Sequence, residues 1–168
     1  MPCEMKCPGC NMATDARQLA GTPRGLFEEL HREYEFTVDV CACPFNAKLD
    51  RYVVREDNAL DLSWAWPTER VFCNPPYIII PPWLEKRHEP ELAAYLLPAR
   101  TDRLWWRLKV EGECHYFVGE KPETRVQFEP PPGVEYSSNP DCSVLLLFGK
   151  GIVPGGEAWR SGKTGKRL

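Results

Sequence analysis

Apolar residues in this chain recur in short runs separated by prolines and polar turns, and the period changes from run to run. Leu26, Phe27 and Leu30 fall on one helical face just after Thr22-Pro23, a hydroxyl that can cap followed by proline at the first helical position. This spacing predicts a short helix over 23–32. Residues 36–40 are β-rich and lead into Cys41-Ala42-Cys43, after which Pro44 predicts a second helix through about 51. Further strands are predicted at 52–54, 71–73, 93–97, 115–118 and 143–148, with helices around 82–87 and 101–110. Strands alternating with helices imply an α/β sheet.

Both ends depart from this pattern. Residues 1–20 form a cysteine-bearing extension without a clear period. From 150 onward Gly, Lys and Arg dominate, with Glu157 the single acidic residue, so 150–168 is expected to be a flexible basic tail. At 168 residues, 43% of them hydrophobic, the chain suffices for one compact core. No run approaches the roughly 18 apolar residues of a membrane span, and the opening Met1-Pro2-Cys3-Glu4 lacks a secretory signal's apolar stretch. A cytoplasmic location with no membrane partner is expected, and with it thiols or metal ligands rather than disulfides for the eight cysteines. The net charge of −3 argues against indiscriminate coating of nucleic acid, though not against local basic clusters.

The chemistry concentrates in Cys73-Asn74-Pro75-Pro76-Tyr77, where a strand runs into a stiff polar turn. Consecutive prolines fix the backbone and carry no amide hydrogen, so the carbonyls at the strand end can be held toward a pocket. The side-chain oxygen of Asn74 and the carbonyl of Pro75 suit the two hydrogens of a planar exocyclic amine, and Tyr77 offers a stacking face. Such an amine is a poor nucleophile because its lone pair is delocalised into the ring. Two acceptors on its hydrogens favour the pyramidal form, whose lone pair is free to attack an electrophilic methyl group in line.

In this turn the chain resembles S-adenosylmethionine-dependent amino-methyltransferases, and more closely the phage-type DNA adenine-N6 methyltransferases (Dam-like). The resemblance runs from about 22 to 148. Its landmarks are Thr22-Pro23, Asp39-Val40-Cys41-Ala42 with Asn46, Asp57-Asn58-Ala59-Leu60, Asn74-Pro75-Pro76-Tyr77 with Trp83, and Arg100-Thr101-Asp102. It implies a small Rossmann-like methyltransferase fold over 21–149 without a separate target-recognition domain, with S-adenosylmethionine as cofactor and DNA as partner. It also implies site residues. Asn74, Pro75, Pro76 and Tyr77 would grip the base. Thr22, Pro23, Asp39, Ala42, Asp57 and Asn58 would bind the cofactor, with Asn58 standing in for Asp57 if the alignment slips by one. Trp83, Arg100, Thr101, Asp102 and Arg125 would face the substrate, Arg100 by holding either a phosphate or a loop.

The turn after Asp39 lacks the glycines usual in methyltransferases, and Cys41 and Cys43 read as small buried hydrophobes. Asn-Pro-Pro-Tyr alone specifies a planar nitrogen, so RNA, cytosine N4 and protein glutamine stay open as acceptors. A weakly active nucleic-acid-binding module is the reading outside that class. Cys3, Cys7 and Cys10, with Pro8-Gly9 between the last two, have the spacing of half a zinc knuckle. A structural zinc there and free thiols are both open.

Overall fold

The computed structural model describes residues 19–65, 68–119, 125–135, 141–155, 157–161 and 163–166. Helix α1 spans Arg24–Tyr34 and buries Leu26, Phe27, Leu30 and Tyr34 along one face. The strands are β1 (Val38–Asp39), β2 (Arg70–Cys73), β3 (Leu92–Pro98), β4 (Cys114–Val118), β5 (Ser143–Gly149) and β6 (Glu157–Arg160). Two short helices, α2 (Pro81–Glu85) and α3 (Leu104–Lys109), follow β2 and β3.

The strands form one sheet in the order β1-β2-β3-β5-β4-β6. β1, β2 and β3 run parallel, β5 enters antiparallel to both β3 and β4, and β6 runs parallel to β4. Period-two alternation assigns side chains to two cores. Val71 and Cys73, Ala93, Tyr95 and Leu97, and Val144, Leu146 and Phe148 face Trp64, Trp83 and Trp106 on one side. Phe72, Leu92, Ala94, Leu96, Leu145 and Leu147 face α1 and Val126 on the other. With both faces covered, all seven residues of β3 are buried, which is why that strand reads as a continuous apolar run.

Four expectations need correction. Thr22 does not cap α1: its backbone stands one residue before the cap position, which Pro23 occupies without a side-chain bond. The first-turn amide of Arg24 instead donates to Glu129 Oε1 at 2.9 Å, a carboxylate brought from a distant loop to the positive end of the helix. No helix forms over 44–51. The Asn46 side chain accepts from the Cys43 amide at 2.7 Å and closes a local turn, and Arg51 and Val53 then exchange backbone bonds with Asp39 alongside β1. Residues 52–54 accordingly make only a bridge, Tyr52 to Asp39, in place of a strand.

The C-terminal segment is no free tail. β6 completes the sheet edge, and Arg160 is fully buried, donating to Glu33 Oε2 at 2.7 Å, the Tyr34 hydroxyl at 2.8 Å and the Gly165 carbonyl at 3.0 Å. Its guanidinium also lies over the Tyr116 ring at 4.6 Å. Gly165, at φ +71°, brings the chain so near Leu26 and Glu29 of α1 that a Cβ would lie 2.8 Å from that of Glu29. Basic composition predicted solvation, but one arginine with a carboxylate, a phenol and a ring as partners folds this segment onto α1. Among the described residues no helix is long and apolar enough to cross a membrane.

Candidate active site

The parallel strands β1 and β2 end on the same edge of the sheet, where open α/β sheets bind ligands. Two turns leave them there. The turn after β2 begins at Asn74, whose Nδ2 donates to the Ala20 carbonyl and to the Thr22 hydroxyl oxygen, both at 3.3 Å. Anchoring the nitrogen decides which way the amide faces. Its Oδ1 accepts no hydrogen bond from any described residue and remains available to a donor brought by a ligand. Pro75 is buried and Pro76 half-buried, so the backbone beyond Asn74 is stiff and shielded.

Arg100, at the end of β3, secures the far end of this turn. Its Nε and Nη2 donate to Asp141 Oδ2 at 3.2 and 2.8 Å, and its Nη1 donates to the Tyr77 carbonyl at 3.3 Å. Arg100 thus ties the turn at Tyr77 to the segment at Asp141. Tyr77 sets its ring edge-on to Phe128, with centroids 6.2 Å apart.

Beside this turn opens a cleft of about 270 Å³, walled by Val40, Ala42, Val53, Leu60, Ile79 and Trp83, with Asn46 and Asn58 as its polar side chains. That volume lies just below the range of roughly 300–1,000 Å³ common for small-ligand sites. Pro76 belongs to the wall, so the acceptor turn and the cleft share a boundary. The turn after β1 forms the floor and satisfies its own amides. Cys41 N donates to Asp39 Oδ1 at 3.2 Å, Ala42 N to the Val53 carbonyl at 3.2 Å, and Cys43 N to Asn46 Oδ1.

Asp39 does not line the cleft. Its carboxyl lies buried behind the floor, and that burial pushes its pKa up to about 6, against the backbone amides of Cys41 and Lys48 and the Lys48 charge, which pull it down. Burial likewise pushes the Cys41 and Cys73 thiols upward, so both are neutral and pack as small apolar groups. Asp57 is exposed on a 3-10 turn away from the cleft wall, whereas its neighbour Asn58, in the left-handed region at φ 42°, is on that wall.

Ala42 and Trp83 line the cleft, and Trp83 is also core, its ring 6.3 Å from Trp64. Pro23 starts α1 outside the wall. Thr101, Asp102 and Arg125 are exposed, and none of them borders the cleft. The helix beyond them is less basic than its sequence, because Lys109 pairs with Glu85 and Arg103 with Asp102. Cys3, Cys7 and Cys10 lie outside the described residues, among which no group of three or more His, Cys, Asp or Glu side chains is placed to hold a metal.

Two contributors escaped the sequence reading of site residues. Asn46 both lines the cleft and ties the floor to the Leu19 carbonyl at 3.1 Å. Asparagine shortly after a proline was the available signal for a side-chain-closed turn. Glu129 joins three segments through the Arg24 amide, the Lys48 ammonium at 2.5 Å and a backbone bridge to Gly21. No local pattern marks it, since all its partners are remote in sequence.

No curated protein and no solved structure matches the chain. The family described as DNA N-6-adenine-methyltransferase (Dam) matches residues 9–156. The chain belongs to this family, and its function is methylation of adenine N6 in DNA.

Proposed function

We propose that this Dam-family chain is a site-specific enzyme that takes its methyl group from S-adenosylmethionine bound in the cleft and delivers it to an adenine held against Asn74, Pro75 and Tyr77. The observation that carries the reading is the orientation of Asn74, its nitrogen tied to Ala20 and Thr22 and its oxygen left for a substrate hydrogen. A Rossmann-like methyltransferase sheet without a separate recognition domain is the fold reading that goes with it. The parallel β1-β2-β3 order, with β5 antiparallel beside β3, supports that reading.

The cleft suits this cofactor. Phosphate-bearing dinucleotides are held by unsatisfied backbone amides at glycine-rich turns, but S-adenosylmethionine carries no phosphate. A floor whose amides are already bonded, small at Ala42 and Cys43 and apolar around them, gives shape without an anion cradle. Asn58 brings a polar side chain to the wall, its Nδ2 tied to Asp61 at 2.6 Å, while Asn46 closes the floor through Cys43 and Leu19 and Asp39 holds it in place through the Cys41 amide. When bound, the cofactor supplies an electrophilic methyl group.

Asn74 Oδ1 and the Pro75 carbonyl accept the two hydrogens of the adenine amine, drawing its nitrogen toward pyramidal geometry and directing its lone pair into the cleft. Tyr77 stacks on the base, and Arg100 fixes Tyr77 through its carbonyl. The adenine must leave the duplex to reach this position, because its amine is otherwise paired.

The test is transfer of labelled methyl from S-adenosylmethionine to unmethylated duplex DNA, with nucleoside analysis of the product and RNA and protein acceptors as competitors. N6-methyladenine in DNA, unaffected by the competitors, is the expected product. Label in N4-methylcytosine, RNA or glutamine would assign the turn to another planar nitrogen.

A further inference from the structure

The segment that follows the acceptor turn is unusual in what it exposes. Between Asn74 and Trp83 the chain contains Pro75, Pro76, Pro81 and Pro82, so it has little backbone freedom. Ile80 is buried and anchors it, and Ile79 N donates to the Pro76 carbonyl at 3.3 Å. Yet Ile78 and Ile79 are 76% and 54% exposed, while both still touch the cleft wall. Two adjacent branched side chains, stiff at χ1 and on a stiff loop, are held out at the mouth of the site.

Resting on the function proposed above, we infer that Ile78 and Ile79 form an apolar wedge that enters the base stack of duplex DNA at the gap left by the target adenine. Successive Cα atoms are about 3.8 Å apart, so Ile78 and Ile79 follow within roughly 4 and 8 Å of Tyr77. The residue that stacks on the extruded base and the residues beside the vacated position therefore belong to one rigid unit. Apolar side chains inserted at a base step are a general way to stabilise an unstacked duplex. No bond is made or broken by the wedge; it positions the substrate by keeping the adenine out of the helix.

The experiment compares the native protein with I78S/I79S and I78L/I79L on two substrates of one sequence. In the first duplex the target adenine is paired with thymine, and in the second it faces an abasic site and needs no extrusion. With S-adenosylmethionine saturating, I78S/I79S is expected to lose at least tenfold more in methyl transfer to the paired target than to the unpaired one, so that any loss from the cleft wall, which both substrates share, cancels. I78L/I79L is expected to recover most of the loss. With 2-aminopurine at the target position, fluorescence should rise on binding to the native protein and not to I78S/I79S. Equal activity of I78S/I79S and native on both substrates would overturn the wedge. So would an equal loss on both, which would make these residues only part of the cleft wall. Failure of the native protein to methylate adenine N6 on either duplex would instead overturn the function on which the wedge rests.

Discussion

The turns after β1 and β2 leave the same edge of the sheet, and they treat their polar groups in opposite ways. The β1 turn is closed on itself: Asp39, Val53 and Asn46 take up the amides of Cys41, Ala42 and Cys43. The β2 turn is braced from outside, by Ala20 and Thr22 at Asn74 and by Arg100 at Tyr77, with no described residue donating to the Asn74 oxygen. The first arrangement makes a surface that selects by shape, and the second holds acceptors at fixed positions where charge develops during reaction. A substitution in one turn should therefore disturb cofactor binding or stability, and in the other the rate of transfer.

The largest separation is expected at Asn74. Removing one preorganised hydrogen-bonding group from a reacting centre typically costs about 10²–10³ in kcat. Asn74→Ala should lose that much in steady-state methyl transfer. Asn74→Asp keeps an acceptor but sets a carboxylate against the Ala20 carbonyl, and should fall less.

Asp39 tests the other turn through pH. Its carboxyl titrates near 6 in the folded protein against 3.8 in a free chain, so the folded state binds the proton more tightly. The sign follows: stability from this group is full below about 4 and declines as pH rises through 6, by roughly 3 kcal/mol for a shift of about two units. Denaturant midpoints of native and Asp39→Asn protein between pH 4 and 8 should show the decline in the native protein and its absence in the variant.

Arg100→Ala removes the brace rather than an acceptor. A drop in kcat of about tenfold is expected with the cofactor dissociation constant unchanged, since a net hydrogen bond to a charged group contributes about 1.5–3 kcal/mol when well made and less when half-exposed. The smallest effect belongs to Asn58→Gly, which removes a polar group from the cleft while keeping the positive φ. Cofactor binding, measured by calorimetry, should weaken by a few-fold with kcat unchanged, as about 0.5–1.5 kcal/mol for one neutral hydrogen bond implies.

The two turns were not equally legible in the sequence. Asn74-Pro75-Pro76-Tyr77 announces its chemistry because prolines fix a backbone locally and the acceptors are neighbours in the chain. The β1 turn misled: Pro44 suggested a helix, whereas the Asn46 side chain diverts the backbone before a helix can start. The central strands were legible from their apolar runs, β3 and β5 above all, because both sheet faces are covered. Composition failed at the C-terminal segment, where glycines and basic residues suggested a solvated tail but Arg160 finds Glu33, Tyr34 and Tyr116 only after folding. Glu129 was hidden for the same reason.

The most direct test of the division between the turns is to measure methyl transfer to duplex DNA and the S-adenosylmethionine dissociation constant on the same preparation of Asn74→Ala. Transfer reduced at least a hundredfold with the dissociation constant unchanged is the expected result. Transfer retained near the native rate, or cofactor binding lost in step with transfer, would contradict the assignment of Asn74 as the acceptor that holds the adenine amine.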